Sequence, residues 1–280
     1  NDITYFYRVT AVDNSGNISA ESDEVSATPE AVIVDNNTDF TDADTQDSLI
    51  SNAANWSNGL PSGVLSGTIT TDAAYNSNLS YDDYTIVQTS GTVARAVGFT
   101  SLDLGPGTTW EMNGVNAQFS GTRGLNLTGA TFHLVDGIAD FSANSKDTKV
   151  SAAGELIQSG GSMLVGRSLL LDGGNYTVSG GSLSVANDIG ARNFHPGGVA
   201  AINGGTVTAE HLSFGHGGFQ VVLGGNAPGS LTIDNFGGNR ADTSLIDIDF
   251  APGSQVTMQL TNPVESGVSG DGELGWSPVG

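Results

Sequence analysis

The sequence contains no cysteine and has few basic residues. Without cysteine, a disulfide-stabilised scaffold is excluded. Eight lysines and arginines stand against 30 aspartates and glutamates, which gives a formal net charge of −22. The bases are scattered singly, so no linear basic patch is present for nucleic-acid phosphates or for an anionic membrane. No apolar run approaches the ~20 residues of a membrane span. We therefore expect no nucleic-acid partner and no membrane span.

Glycine and short apolar runs are what the sequence has in excess. Forty of the 280 residues are glycine, roughly twice the usual share. Apolar residues make up 38% and lie in short periodic runs, which argues against a disordered chain. An acidic, cysteine-free composition rich in Asn, Thr and Gly suits the outside of a bacterial cell. We expect an extracellular or bacterial cell-surface location.

Pairs of glycines follow two interleaved series in the second half of the chain. The first series lies at 160–161, 180–181, 204–205 and 224–225, and the second at 173–174, 197–198, 217–218 and 237–238. Successive pairs within a series are 20 or 24 residues apart. The alternating runs between them are too short for helices, whereas glycine permits the positive-φ corners of a solenoid. A period of this length predicts stacked coils.

Parallel strands in successive coils form a parallel β-helix, which we expect to be right-handed because parallel crossovers almost always are. The sequence thus predicts an all-β fold with roughly nine coils over residues 64–262. Inward positions carry Leu, Val, Ile and Phe, and outward positions carry Ser, Thr, Asn and Asp. We interpret residues 31–63 as a linker and N-terminal cap, and 263–280 as a C-terminal tail or the start of a next module.

Residues 1–30 have a different pattern. The segment TYFYRVTAVDNSGNISAESDEVSATPE contains a Tyr-x-Tyr-x-Val strand, an Asp-Asn-x-Gly-Asn turn and a second strand that Pro29 ends. It resembles the last two strands of a bacterial fibronectin type III domain, which is a β-sandwich. The earlier strands are missing. The chain is then a fragment of a longer protein, which we favour, or the strands pack on the next domain, or they complete a sheet in a neighbouring chain.

A second resemblance involves the segments ISNAANWSNGLPSG and GGSLSVANDIG…AINGGTVTAEHLSFG. They resemble secreted bacterial β-helix repeat proteins, including autotransporter-like passengers and large extracellular proteins with PEP-CTERM sorting tags. The resemblance covers roughly residues 50–260. It implies a stalk, an adhesin or a module attached to a polysaccharide-degrading enzyme.

Sugar binding requires exposed aromatic faces beside amide or carboxylate groups. Tyr81, Asp82, Asp83 and Tyr84 form the best candidate ligand-binding segment. Trp110 is a further candidate, for which a position in the core is equally consistent with the sequence.

Two further groups have metal-binding or acid–base chemistry. Asp35, Asp39, Asp42 and Asp44 offer oxygen ligands for calcium, although the glycine of an EF-hand loop is absent and a solvated acidic loop is the alternative. His195 and His216 lie 21 residues apart, close to one coil length. We interpret them as ordinary polar residues at corners. No cofactor is required by the sequence.

We expect a non-catalytic extracellular module that binds polysaccharide or serves adhesion within a larger secreted protein. The expected partners are a polysaccharide or cell-surface glycan, together with neighbouring domains or like subunits. Two alternatives stay open: a structural stalk or filament subunit, and a β-helix polysaccharide lyase or hydrolase. The last requires acids and a base clustered in a groove across consecutive coils. The sequence contains no Gly-x-Ser-x-Gly elbow and no phosphate-binding loop.

Overall fold

The structure is a computed structural model of the 280-residue chain. It describes residues 5–27, 36–44, 46–76, 79–96, 101–114, 116–120, 124–143, 146–191, 197–213, 219–237 and 246–261. The chain divides into two compact units, residues 1–36 and residues 37–280.

The first unit contains one antiparallel strand pair. Strand β1 spans Tyr5–Tyr7 and pairs with β2, which spans Val25–Ala27. The turn predicted after the first strand is present: the Asp13 carboxylate accepts hydrogen bonds from the backbone amides of Ser15 and Asn17. The pair agrees with the strands predicted from the sequence. The resemblance to a fibronectin type III domain stays a prediction.

The second unit is a parallel β-solenoid with three strand series, and its strands are numbered here in chain order. Sheet 1 is the ten-stranded series β3 (Asn37–Asp39), β4 (Ser66–Ile69), β7 (Thr85–Gln88), β10 (Thr109–Met112), β13 (Thr131–Leu134), β16 (Glu155–Gln158), β19 (Asn175–Val178), β22 (Val199–Ile202), β24 (Phe219–Leu223) and β26 (Ile246–Phe250).

The other two series are joined into one sheet of 15 strands because the long strand β23 belongs to both. Sheet 2 contains β5 (Ala73–Tyr75), β8 (Thr92–Arg95), β11 (Gln118–Ser120), β14 (Ile138–Phe141), β17 (Ser162–Val165), β20 (Ser182–Val185), the first half of β23 (Gly205–Ser213), the first half of β25 (Gly229–Gly237) and β27 (Val256–Leu260). Sheet 3 contains β6 (Ser80–Tyr81), β9 (Leu102–Leu104), β12 (Leu125–Thr128), β15 (Thr148–Ser151), β18 (Leu169–Asp172), β21 (Asp188–Gly190) and the second halves of β23 and β25.

The all-β parallel solenoid predicted from the repeat is confirmed, and it has about seven turns. Seven successive turns run from β4–β6 to β22–β23. Strand β3 precedes them, and β24 to β27 continue the stack. The expected count of roughly nine over residues 64–262 is therefore slightly too high, because it includes the C-terminal strands β24 to β27 as regular coils. The single described helix is a 3₁₀ turn at Ala53–Asn55.

Two-residue alternation fixes the core. In β9, β12 and β14 the inward residues are buried Leu, Ala and Phe, while the residues between them are half-buried or exposed. Parallel pairing in register then places each inward side chain above its counterpart in the previous coil. One aromatic cluster fills the middle of the stack, where the Phe119 ring lies 5.3–5.6 Å from the rings of Trp110, Phe132 and Phe141.

The diglycine pairs of the first series lie where the chain turns from sheet 1 into sheet 2, whereas the pairs 173–174 and 197–198 of the second series lie between sheet 3 and sheet 1. In the first series the second glycine of the pair has a left-handed φ: 63° at Gly161, 78° at Gly181 and 73° at Gly205. Side chains rarely adopt this conformation, and added Cβ atoms there would meet backbone of the previous coil. The glycine spacing that predicted the solenoid thus corresponds to turns between its sheets.

Candidate functional site

A polar groove runs along the outer face of sheet 3, across four consecutive strands. Its central row consists of Ser80, Asp103, Asn126 and Lys149, which are paired in register from β6 to β15. Successive side chains of a strand point to opposite faces, so this row points outward if its neighbours along the strands point inward. Those neighbours are buried in the core: Leu102, Leu104, Leu125, Leu127 and Val150. Thr128 and Ser151 form a second, hydroxyl row beside the first. The groove has a volume of about 330 Å³.

The carboxylate of Asp103 in this row is partly buried. The Nδ2 group of Asn126 donates a hydrogen bond to Oδ1 of Asp103 at 2.5 Å. Burial raises the pKa of Asp103 above its ordinary value, although the Asn126 hydrogen bond and the charge of Lys149 oppose this change. The row therefore has an acceptor, an amide and a cation on three successive rungs, about 4.8 Å apart.

One atom of the groove has an unused hydrogen-bonding capacity. The Oδ1 atom of Asn126 is buried and has no hydrogen-bond partner among the described residues. A buried polar atom without a partner costs roughly 1–3 kcal/mol, so such atoms are uncommon in folded proteins. The groove above it is lined by hydroxyl, amide and ammonium groups, and a rotation of the Asn126 side chain would present this acceptor to a ligand that carries hydroxyl groups.

The predicted aromatic sites lie elsewhere. Tyr81 is 1% exposed and Trp110 is 0% exposed, and Tyr84 is also buried. Tyr81 points inward because it pairs with the core residue Leu104, and its hydroxyl accepts a hydrogen bond from the amide of Asn76. The rings of Tyr81 and Tyr84 are therefore not exposed for stacking on a sugar, and Trp110 occupies the core position that the sequence left open. Each lies at an inward position of its coil or at a corner packed against the core.

The two acids between the tyrosines are exposed. Asp82 accepts a hydrogen bond from the Ser80 hydroxyl at 3.1 Å and so lies beside the polar groove. Asp83 follows in a left-handed turn conformation, with φ of 62°. Of the predicted ligand-binding residues, Asp82 is the one directly hydrogen-bonded to a residue that lines the groove.

The predicted calcium ligands do not converge in the described part of the chain. Asp35 lies outside the described residues, and no group of three acidic or histidine side chains that could hold a metal is found among those described. Asp39 and Asp42 are exposed. The carboxylate of Asp44 instead accepts a hydrogen bond from the Asn52 side chain at 2.8 Å. This interaction organises the loop within itself.

The neighbouring residue Asp47 has the same structural role. It accepts hydrogen bonds from the amide of Leu49 and from the side chains of Asn52 and Asn55. These bonds hold the pKa of Asp47 below its usual value, the Leu49 bond contributing most. His195 and His216 lie outside the described residues.

Sequence reasoning missed the central row of the groove, although a signal for it exists. Positions 80, 103, 126 and 149 are each 23 residues apart, and so are 128 and 151. This spacing falls within the coil length that the glycine pairs indicate further along the chain. A search for polar residues at that interval would have found them.

The comparisons with known proteins assign no relative. No protein-family model, no curated protein and no solved structure matches the chain. In the parts of the chain that the structure describes, no helix has the length and apolar character to cross a membrane. The functional conclusion therefore depends on the site itself.

Proposed function

We propose that the chain binds an extracellular polysaccharide along the outer face of sheet 3, without cleaving it. The observation that carries this proposal is the unpaired buried oxygen of Asn126 in the centre of the polar groove. If the Asn126 side chain rotates to expose that atom, a sugar hydroxyl can donate to it and remove the cost of leaving it unpaired. The groove lies along successive coils, so an extended chain ligand can follow it.

The other groups in the groove support a ligand rich in hydroxyls. Asp103 accepts from sugar hydroxyls, and the Lys149 ammonium donates to ring or hydroxyl oxygens. Thr128 and Ser151 can do both along the second row. A few converging polar groups of mixed type fix the orientation of a ligand and provide specificity.

The charge of the protein favours a neutral polysaccharide over a polyanion. With a formal net charge of −22, the molecule repels anionic chains at long range. Lys149 is the one cation among the described residues that line the groove, and Asp103 lies two rungs away. We therefore propose an uncharged plant, algal or cell-surface polysaccharide as the ligand class.

The setting of the module remains part of the same proposal. An acidic, glycine-rich and cysteine-free composition supports an extracellular or bacterial surface location. The antiparallel pair β1–β2 supports the interpretation of residues 1–30 as the end of a fibronectin type III module that would act as a spacer. Attachment to neighbouring domains would then present the groove to its ligand. Binding at this groove requires no metal or other cofactor.

Affinity electrophoresis in gels that contain neutral polysaccharides tests the proposal. Migration of the wild type should be retarded by at least one of them, and Asn126→Ala should weaken binding about tenfold, which corresponds to one lost hydrogen bond of roughly 1.4 kcal/mol. Asn187→Ala is the matched control, because Asn187 is an exposed asparagine in the turn between β20 and β21 and does not line the groove. Equal loss in both variants, or no retardation of the wild type by any neutral polysaccharide, would contradict the proposal.

A further inference from the structure

A second cluster lies on a different face of the solenoid. On the outer face of sheet 1, Glu111 in β10 and His133 in β13 are directly paired, and Ser159 follows the end of the next strand, β16. The Nε2 atom of His133 lies 2.9 Å from the Ser159 hydroxyl. The Nδ1 atom of the same ring lies 3.5 Å from Oε2 of Glu111. Acid, imidazole and hydroxyl thus form one line across three coils.

The order of these contacts defines a role for each group. A carboxylate beside Nδ1 favours the tautomer with the proton on Nδ1, which leaves Nε2 as an acceptor. The Ser159 hydroxyl then donates its hydrogen bond to Nε2. Glu111 is itself held by the Asn113 side chain, which donates to Oε1 at 3.3 Å. A nucleophile, a base and a group that orients the base are the elements of a serine hydrolase triad, which is recognised by geometry and not by chain order.

The solenoid corner does not require this arrangement. The sequence Ser-Gly-Gly-Ser occurs at residues 159–162 and again, one coil later, at 179–182. Ser159 and Ser179 are both exposed and both follow a strand of sheet 1. The residue paired with His133 in the next coil is Ile157, so the rung below Ser179 offers an aliphatic side chain in place of imidazole. The two corners have the same local sequence, but Ser159 contacts an imidazole whereas the corresponding side chain below Ser179 is aliphatic.

A groove for a substrate lies beside the cluster. It has a volume of about 340 Å³ and is lined by Glu155, Leu156, Ile157, Asn175, Thr177 and Val199. Ile157 is the strand neighbour of His133, so the apolar part of the groove begins next to the imidazole. Asn175 and Thr177 supply polar groups on the following rung. Such a surface suits a small acyl group attached to a hydroxylated carrier.

We propose that Ser159, His133 and Glu111 form an esterase site that hydrolyses small O-acyl esters. Ser159 Oγ attacks the ester carbonyl carbon while its proton passes to Nε2 of His133. The carbon–oxygen ester bond then breaks, and the alcohol leaves with that proton. Water attacks the acyl-serine, gives a proton to His133 and releases the carboxylic acid, after which the proton returns to Ser159.

The three residues have different roles in the proposed reaction. Ser159 and His133 are the catalytic residues, and Glu111 is a positioning residue that acts through the imidazole. The side chains of His133 and Glu111 are 28% and 32% exposed, so all three groups are reachable from solvent. Because the serine is exposed, water contributes to solvating the oxyanion, and we expect a modest rate. The site is separate from the groove on sheet 3 and does not depend on it.

Hydrolysis of 4-methylumbelliferyl acetate by the full chain tests the proposal. Ser159→Ala and His133→Gln should each lower kcat/KM about a hundredfold, the usual scale of lost nucleophilic or general-base catalysis. Ser179→Ala should retain the wild-type rate. Glu111→Gln should lower kcat with little change in KM, and Glu111→Asp should recover part of the loss. A purely structural role for Glu111 would not give that pattern.

Covalent labelling gives an independent measurement. A fluorophosphonate probe followed by peptide mass spectrometry should modify Ser159 and leave Ser179 unmodified, and His133→Gln should abolish the modification. Circular dichroism checks that each variant keeps its β signal. Equal esterase rates for Ser159→Ala and Ser179→Ala, equal labelling of both serines, or no turnover by the wild type would each overturn the proposal.

Discussion

The outer face of sheet 2 in the later coils differs in its side chains from the outer faces of sheets 1 and 3 in the earlier coils. On the later strands of sheet 2, one outward row is hydroxyl on five successive strands: Ser162, Ser182, Thr206, Ser230 and Thr257. In the earlier coils the same row consists of Thr92, Gln118 and Ile138. On sheets 1 and 3 the rows change character from rung to rung, as in the row from Asp103 through Asn126 to Lys149. Outward side chains do not pack in the core, so a row of mixed polar groups that line a groove is a candidate for function.

The inward faces of the three sheets differ from the outward faces. There the side chains are apolar almost throughout, and substitution at an inward position changes packing and not chemistry. We therefore expect substitutions at inward positions to change the free energy of unfolding strongly and substitutions at outward positions to change it little. The variants below test that difference, starting with the largest expected effect.

Truncation of the aromatic cluster should destabilise the protein most. Phe119→Ala removes a fully buried ring that contacts Trp110, Phe132 and Phe141, and should cost about 3–5 kcal/mol of unfolding free energy. Ile138→Ala, on the outward side of the adjacent strand β14, is the control and should change stability by less than about 0.5 kcal/mol. Urea unfolding followed by circular dichroism measures both. Similar losses in the two variants would refute the inside–outside distinction.

Substitution of a corner glycine should have the second-largest effect on the free energy of unfolding. Gly181 and Gly253 both have a φ of 78°, but only Gly181 is enclosed: an added Cβ would lie 2.4 Å from the carbonyl oxygen of Gly161. Gly181→Ala should cost roughly 2–4 kcal/mol, from backbone strain and overlap together. Gly253→Ala meets no atom within 4 Å and should show the backbone strain alone, about 1–2 kcal/mol. Equal losses in urea unfolding would show that the coils do not press on each other at this corner.

A buried polar contact provides the third test. The Tyr176 hydroxyl donates to Oε1 of Gln158 at 3.0 Å, and Nε2 of Gln158 donates to the carbonyl oxygen of Ser182 at 2.9 Å. Burial of the ring also raises the pKa of Tyr176. Gln158→Leu leaves these partners unpaired and should cost about 1–3 kcal/mol.

A double-mutant cycle separates this contact from general packing. Tyr176→Phe in the Gln158→Leu background should cost less than Tyr176→Phe in the wild type, because its partner is already gone. Unfolding free energies of the four proteins supply the coupling. Strict additivity would mean that the hydrogen bond is not made in solution.

Sequence alone indicated the fold because corners have a specific chemical signature. Gly161, Gly181 and Gly205 lie at left-handed positions that favour glycine, so their spacing reports the coil length directly. Alternation between them then predicts which side chains face inward. Both signals are local and need no knowledge of the rest of the chain.

The candidate sites depend on register, which local signals do not supply before residue 160. No diglycine pair occurs in that part of the sequence, so the coil length has to be carried over from the later glycine pairs before Asp103, Asn126 and Lys149 come together. For the same reason the sequence places Tyr81 on the wrong side and leaves Trp110 unassigned, since a shift of one residue exchanges inward and outward positions. The contact between His133 and Ser159 crosses from a strand to a corner, which alternation within strands does not describe.

The smallest expected effect has the opposite sign from the others. Because burial raises the pKa of Asp103, the folded state holds its proton more tightly than the unfolded state does. That stabilising contribution is complete below the unfolded pKa and is lost as the pH rises through the folded pKa. Asp103→Asn should therefore be more stable than the wild type by less than about 1 kcal/mol at about pH 7, and the advantage should vanish near about pH 3.

Unfolding midpoints of the two proteins at both pH values measure this difference, and each protein is its own reference. A gain in stability together with weaker polysaccharide binding would show that the carboxylate is retained for its ligand and not for the fold. A less stable Asp103→Asn protein at neutral pH would mean that attraction to Lys149 outweighs desolvation. The row on sheet 3 would then be a structural ladder like the hydroxyl row of sheet 2, and the contrast between the faces would lose its functional meaning.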